Sequence, residues 1–105
     1  MPVFVAMNRF QVNPERAEEF ERGWRERDSY LEGVPGYQSF ALLRGDVAGD
    51  YVSHSIWESR DAFRAWTQSD NFRQAHARGP AEGVILGHPQ ASFYEAILEE
   101  SAVAS

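Results

Sequence analysis

Residues 63–76, FRAWTQSDNFRQAH, join an apolar helical face to a terminal imidazole, and this is where the sequence places its chemistry. Phe63 and Trp66 are three apart and share one helix face; Phe72, Ala75 and His76 repeat the i, i+3, i+4 spacing a segment later. Ser69, Asp70 and Asn71 lie between them, and such side chains compete for backbone groups and favour caps over helix interiors. The reading is two short helices meeting at a bend. In one unbroken helix Trp66 and His76 would stand roughly 15 Å apart along the axis and about 80° apart around it. Even so placed they could line one large, flat, apolar cavity.

A second residue of interest stands on the first predicted strand, residues 3–12. Its alternation puts Phe4, Ala6, Asn8, Phe10 and Val12 on one face and Val3, Val5, Met7, Arg9 and Gln11 on the other. Asn8 interrupts an apolar row, and a buried carboxamide costs free energy unless something hydrogen-bonds to it. Taken alone, Asn8 is an amide satisfied by backbone or water, Trp66 a core aromatic, and His76 a helix-end imidazole.

Other chemistries lack their residues. The glycines have neither the Walker nor the dinucleotide spacing, and no serine or cysteine stands in a nucleophile elbow. The three histidines are scattered, and with no cysteine there is neither a disulfide nor a thiolate metal site. His54, between Val52 and Ile56, reads as a hydrogen-bonded sheet residue, and His88 as an exposed turn residue. A net charge of −6 disfavours nucleic acid and anionic membrane surfaces as partners. The longest apolar run is too short to span a bilayer, and the start lacks a signal-peptide pattern, so a cytoplasmic location is expected.

The elements that must position these residues follow in order. Asn13 suits an N-cap and Pro14 a first helical turn; a helix follows with Ala17, Phe20, Trp24 and Leu31 as its core stripe, ended by the turn at residues 33–36. Residues 37–44 and 51–58 read as strands joined by a hairpin, GDVAGD. After the helix pair, residues 77–90 suit a loop long enough for a lid or a partner-facing arm, and residues 91–98 a last strand. With 105 residues, of which 43% are hydrophobic, a single domain over 1–105 with a core at 3–98 is expected. The order gives an α+β class, a ferredoxin-like β-α-β-β-α-β sheet with helices on one face. Val3, Val5 and Met7 would then need a second copy to cover them, making a barrel-like homodimer.

One imidazole at the end of an apolar helix segment, one Trp upstream and one misplaced Asn are suited to a haem, which takes a neutral imidazole and an apolar slot. Over residues 3 to about 98 the chain also resembles the antibiotic-biosynthesis-monooxygenase superfamily of dimeric α+β barrels, and within it the IsdG-like haem-degrading monooxygenases. Asn8, Trp66 and His76 fall at that family's positions, and FRAW with NFRQAH looks like its helix pair. The resemblance implies that haem is both substrate and oxygen-activating cofactor, with electrons from an outside reductase. It further implies that His76 ligates iron, that the Asn8 amide donates to the oxygen ligand, and that Trp66 presses the porphyrin out of plane. Ring opening would release iron and a bilin-type product. Arg73 or Arg78 could offset the repulsion between an acidic protein and the propionates. Two other classes share the pocket: a cofactor-independent quinol or polyphenol monooxygenase, and a non-catalytic haem carrier or stress-associated dimer.

Overall fold

The computed structural model describes residues 3–27, 30–76 and 82–102. Four strands form one antiparallel sheet in the order β2-β3-β1-β4, where β1 is Phe4–Gln11, β2 Tyr37–Arg44, β3 Asp50–Trp57 and β4 Gln90–Glu95. Helix α1, Ala17–Glu26, connects β1 to β2, and α2, Arg60–Thr67, with α3, Asp70–Ala75, connects β3 to β4. This is the split β-α-β arrangement expected, with both connections on one sheet face.

Local chemistry sets the boundaries. Asn13 Oδ1 accepts from the Glu15 N–H at 3.1 Å and Pro14 opens a 3-10 turn over Pro14–Arg16 that leads into α1. In the β2–β3 hairpin Gly49 has φ +87°, and a Cβ there would collide with the Val12 carbonyl, so glycine is required on both counts.

The helix-facing side of the sheet carries two cores. Phe10, Val12, Tyr51 and Val84 bury against Phe20 beneath α1, with Trp24 and Leu42 at the edge. Phe4, Ala6, Leu31 and Trp57 form the other, with Phe40, Phe63 and Trp66 packed on it. Trp57, fully buried, is packing: its indole N–H donates to Ser55 Oγ at 2.9 Å.

Three expectations are corrected. The first helix does not run on to Leu31 but stops at Glu26, because Arg27 turns extended and lays its guanidinium over the Trp24 and Phe40 rings, 4.5 and 4.9 Å from their centroids. Leu31 leaves the predicted stripe and is buried beside Phe4 and Trp57, worth about 2 kcal/mol of transfer energy. The last strand ends at Glu95 rather than residue 98, and Ile97 and Leu98 are 98% and 77% exposed. Of the predicted loop 77–90, residues 77–81 lie outside the described residues and residues 84–86 are tied down. Val84 is buried, Val12 and Ile85 form a bridge, and backbone hydrogen bonds join Asn13 to Val84 and Leu86 to Gln11. Residues 84–86 therefore extend the sheet rather than form a lid.

Candidate functional site

Serine chemistry builds the bend that the site needs. Ser59 caps α2, its Oγ accepting from the Ala62 N–H at 3.2 Å. Ser69 works in both directions: its Oγ accepts from the Phe72 N–H at 3.1 Å, capping α3, and donates to the Trp66 carbonyl at 2.6 Å, closing α2. Asn71 then fastens α3 to the segment after α1, its Nδ2 donating to the Tyr30 carbonyl at 3.3 Å. That segment holds Tyr30 at φ +59°, in the left-handed region that non-glycine residues seldom occupy.

The bend brings Trp66 and His76 together. Their ring centroids are 5.9 Å apart, and both meet Phe72, edge-on to Trp66 at 4.8 Å and stacked on His76 at 4.1 Å. Trp66 in turn lies 5.3 Å from Trp57 in the second core. His76 is exposed, and its Nδ1 sits 2.9 Å from the Phe72 carbonyl. A carbonyl only accepts, so Nδ1 carries the proton in this contact and the neutral ring keeps its lone pair on Nε2. The residue that orients the imidazole, which spacing could not name, is thus the backbone one turn back.

Asn8 is half-buried in β1, on the same face as Ala6 and Phe10 and therefore beneath the helices. Among the described residues its carboxamide makes no hydrogen bond. His54 is on the other sheet face, opposite Met7 and Ala41, and His88 is exposed just ahead of β4, so neither joins the group.

The orphaned polar atoms are the informative ones. Trp66 Nε1 and Arg27 Nε are buried and, among the described residues, have no hydrogen-bond partner. An unpaired buried donor costs about 1–3 kcal/mol, a cost that persists in native proteins mainly where something else supplies the acceptor. Arg27 is the residue sequence reasoning missed. No described carboxylate forms an ion pair with it, and burial pushes its pKa down, against a smaller favourable effect of Tyr37. Its clue lay in position: a charged residue one step beyond a helix whose stripe ends in Trp24. Arg73 is instead paired with Asp70 in the first turn of α3 and mostly exposed, and Arg78 lies outside the described residues.

A hollow of about 290 Å³ between α1 and β2 holds none of Asn8, Trp66 and His76. It is lined by Glu21 and by Arg25 and Arg44, each of which pairs with Glu21, together with Trp24, Phe40 and Leu42. Because its charges are satisfied within the chain, we assign it to structure. Among the described residues no three His, Asp or Glu side chains are clustered for a metal ion.

An antiparallel four-stranded sheet with its helices on one face defines a ferredoxin-like α+β domain. The chain belongs to the antibiotic biosynthesis monooxygenase family, whose model matches residues 3–78. It is 36% identical over 90 residues to a mycobilin-producing haem oxygenase of Mycobacterium tuberculosis, spanning 84% of this chain and 74% of that protein. The structure of the haem-degrader MhuD from the same organism, with two haems bound in its active site, superposes with a TM-score of 0.75 at 28% identity, over 93% of this chain and 99% of that one. A mutant of the cofactor-independent oxygenase SnoaB of Streptomyces nogalater shares the fold alone, with a TM-score of 0.71 at 22% identity over 94% of this chain and 97% of that one.

Proposed function

We propose that this protein is a haem-degrading monooxygenase. The observation that carries the reading is the His76 ring, whose Nδ1 is committed to the Phe72 carbonyl so that Nε2 is free as a donor to iron. The residues around it fit the group. Trp66 and Phe72 offer aromatic walls, and among the described residues Trp66 Nε1 and Arg27 Nε lack acceptors and the Arg27 guanidinium, over the Trp24 ring, forms no ion pair, so that the propionates of haem would complement it. Similarity to a mycobilin-producing haem oxygenase and to MhuD supports the same substrate.

Haem would be at once substrate and oxygen-activating group, consuming O2 and electrons from an external reductase and yielding iron and a bilin-type product. In this arrangement His76 would hold the iron, Trp66 would pack against the macrocycle and Asn8 would supply an amide N–H from the sheet. The protein works in the cytoplasm as a homodimer. Val5, Met7, Val52, Ile56, Ala41 and Tyr94 all lie on the helix-free sheet face, where no side chain is buried, and a second copy would cover them. A stable monomer mass by light scattering at micromolar concentration would end the dimer reading.

The deciding experiment is a haem titration followed by reduction in air. A Soret band saturating at a fixed haem-to-chain ratio, then bleaching with ascorbate, is the expected result. A band that persists would make the protein a carrier, and no specific band would return the chain to the quinol class.

A further inference from the structure

The middle of the helix-facing side of the sheet contains an isolated polar pair. Across the four strands in register, one row reads Leu42, Ser53, Asn8, Ala91. The next row towards Phe4 reads Phe40, Ser55, Ala6, Phe93, and there the one polar group is accounted for: Ser55 Oγ accepts from Trp57 Nε1 at 2.9 Å and donates to the Ala6 carbonyl at 3.4 Å. Ser53 has no such partner. Among the described residues neither its hydroxyl nor the Asn8 carboxamide makes a hydrogen bond, and both residues are half-buried. Their outer neighbours, Leu42 and Ala91, have no polar side-chain group to offer.

Sheet propensity does not account for Ser53, since a central strand facing a core favours a β-branched or aromatic side chain. Packing does not account for it either, because a serine fills less of the space beneath the helices than valine would. Directly opposed residues on an antiparallel pair have Cβ atoms about 4.5–5.5 Å apart, so a hydroxyl and a carboxamide so placed can hydrogen-bond to one small molecule between them. Neither polar group is among the fully buried orphans, so both stay open to a water or ligand, and a held water needs two or more such groups.

We propose that Ser53 is a second ligand-contacting residue of the site, acting with Asn8 to hold one small polar molecule: water in the free protein, and the small exchangeable ligand of the iron when haem is bound. The inference rests on the haem reading. It differs from a role for Asn8 alone in giving that ligand a second hydrogen-bonding group, one that can donate or accept.

The test compares Ser53→Thr with Ser53→Val, which have the same shape and differ only in the hydroxyl, and adds Ser53→Ala and Asn8→Ala. The readouts are the haem titration, the cyanide dissociation constant of the ferric complex and the C–O stretching frequency of the ferrous carbon monoxide complex. Loss of one neutral hydrogen bond predicts cyanide binding weakened about fivefold in Ser53→Val and Ser53→Ala, with a raised C–O stretch. Ser53→Thr should stay within about twofold of the parent on the same energetic scale. Haem affinity should be alike in all three serine variants. Thr and Val variants that behave alike, whether both match the parent or both are weakened, would overturn the proposal while leaving the haem reading intact. A parent protein without a specific Soret band would end both.

Discussion

Two regions beneath the same helices treat their polar groups in opposite ways. Where α1 crosses β3, every charge has an answer: Tyr51 donates to Glu21 Oε2 at 2.5 Å, Arg44 reaches both Glu21 oxygens at 2.9 and 3.0 Å, and Arg25 reaches Oε1 at 3.1 Å. Elsewhere on the helix-facing side, Asn8, Ser53, Trp66 Nε1 and Arg27 Nε have no partner among the described residues. Aromatic surroundings are common to both, with Phe20 against Tyr51 at 5.0 Å in one and Trp66 against Phe72 at 4.8 Å in the other. Residue type therefore does not separate structure from function here; satisfaction does. A region that completes its own hydrogen bonds holds the fold, and one that leaves donors empty is waiting for a molecule with acceptors.

The hardest test of that contrast is His76→Ala. It deletes the proposed bond to iron, so haem affinity should fall by at least about 100-fold, the upper end of what altering even a metal site's supporting residues costs. The fold should persist, because the ring is exposed. Unchanged haem affinity would remove His76 from the site. Trp66→Ala comes next. Haem should still bind while ring opening slows on the order of tenfold, equivalent to about 1.4 kcal/mol in the barrier. Thermal unfolding should also show a loss of up to about 3 kcal/mol, the low end for an aromatic core truncation, since Trp66 is only half-buried and gives up an orphaned N–H. Lower stability with unchanged turnover would make Trp66 a packing residue only.

Periodicity carried the sequence far in one direction. The alternation of Phe4, Ala6, Asn8 and Phe10, and the serine-rich break before Phe72, contained the sheet face and the bend, because both are local consequences of side-chain chemistry. The end of α1 was illegible for the opposite reason. Nothing between Ala17 and Leu31 forbids a continuous helix, and its termination comes from Arg27 settling on Phe40, a residue of another strand. The anchoring of Val84 and Leu86 was hidden in the same way, since it depends on the backbone of residues 11–13. Ser53 offered no signal until the register placed it opposite Asn8.

Arg27→Met sharpens the comparison at smaller amplitude. The substitution keeps an apolar stem against Trp24 and Phe40 but removes the unpaired charge. Haem affinity should drop about tenfold, as for the loss of a charge-assisted hydrogen bond, and should become less sensitive to salt. The melting temperature of the haem-free protein should stay within about 5 °C, because no ion pair is lost. Affinity and salt dependence identical to the parent's would show that the guanidinium serves α1 rather than a ligand.

The smallest effect belongs to the satisfied region and is read in acid. Hydrogen bonds from Tyr51 first and Arg44 second, with the charges of Arg44 and Arg25 behind them, hold the Glu21 carboxyl at about 2 instead of 4.5. A carboxyl held low binds its proton more weakly in the folded chain than in the unfolded one. Its contribution is complete above about pH 4.5 and is lost as the pH falls towards 2. Glu21→Gln abolishes that titration but leaves an amide that can still accept from Tyr51, so the variant should be somewhat less stable at neutral pH and its stability should fall less steeply across this acid window. Because Glu21 lies near the surface the difference will be modest, and raising the salt should shrink it. Urea midpoints at pH 7, 4.5 and 3 measure it. Parallel curves for parent and variant would mean that the corner is as dispensable to the fold as the unpartnered donors, and the contrast between the two regions would fail.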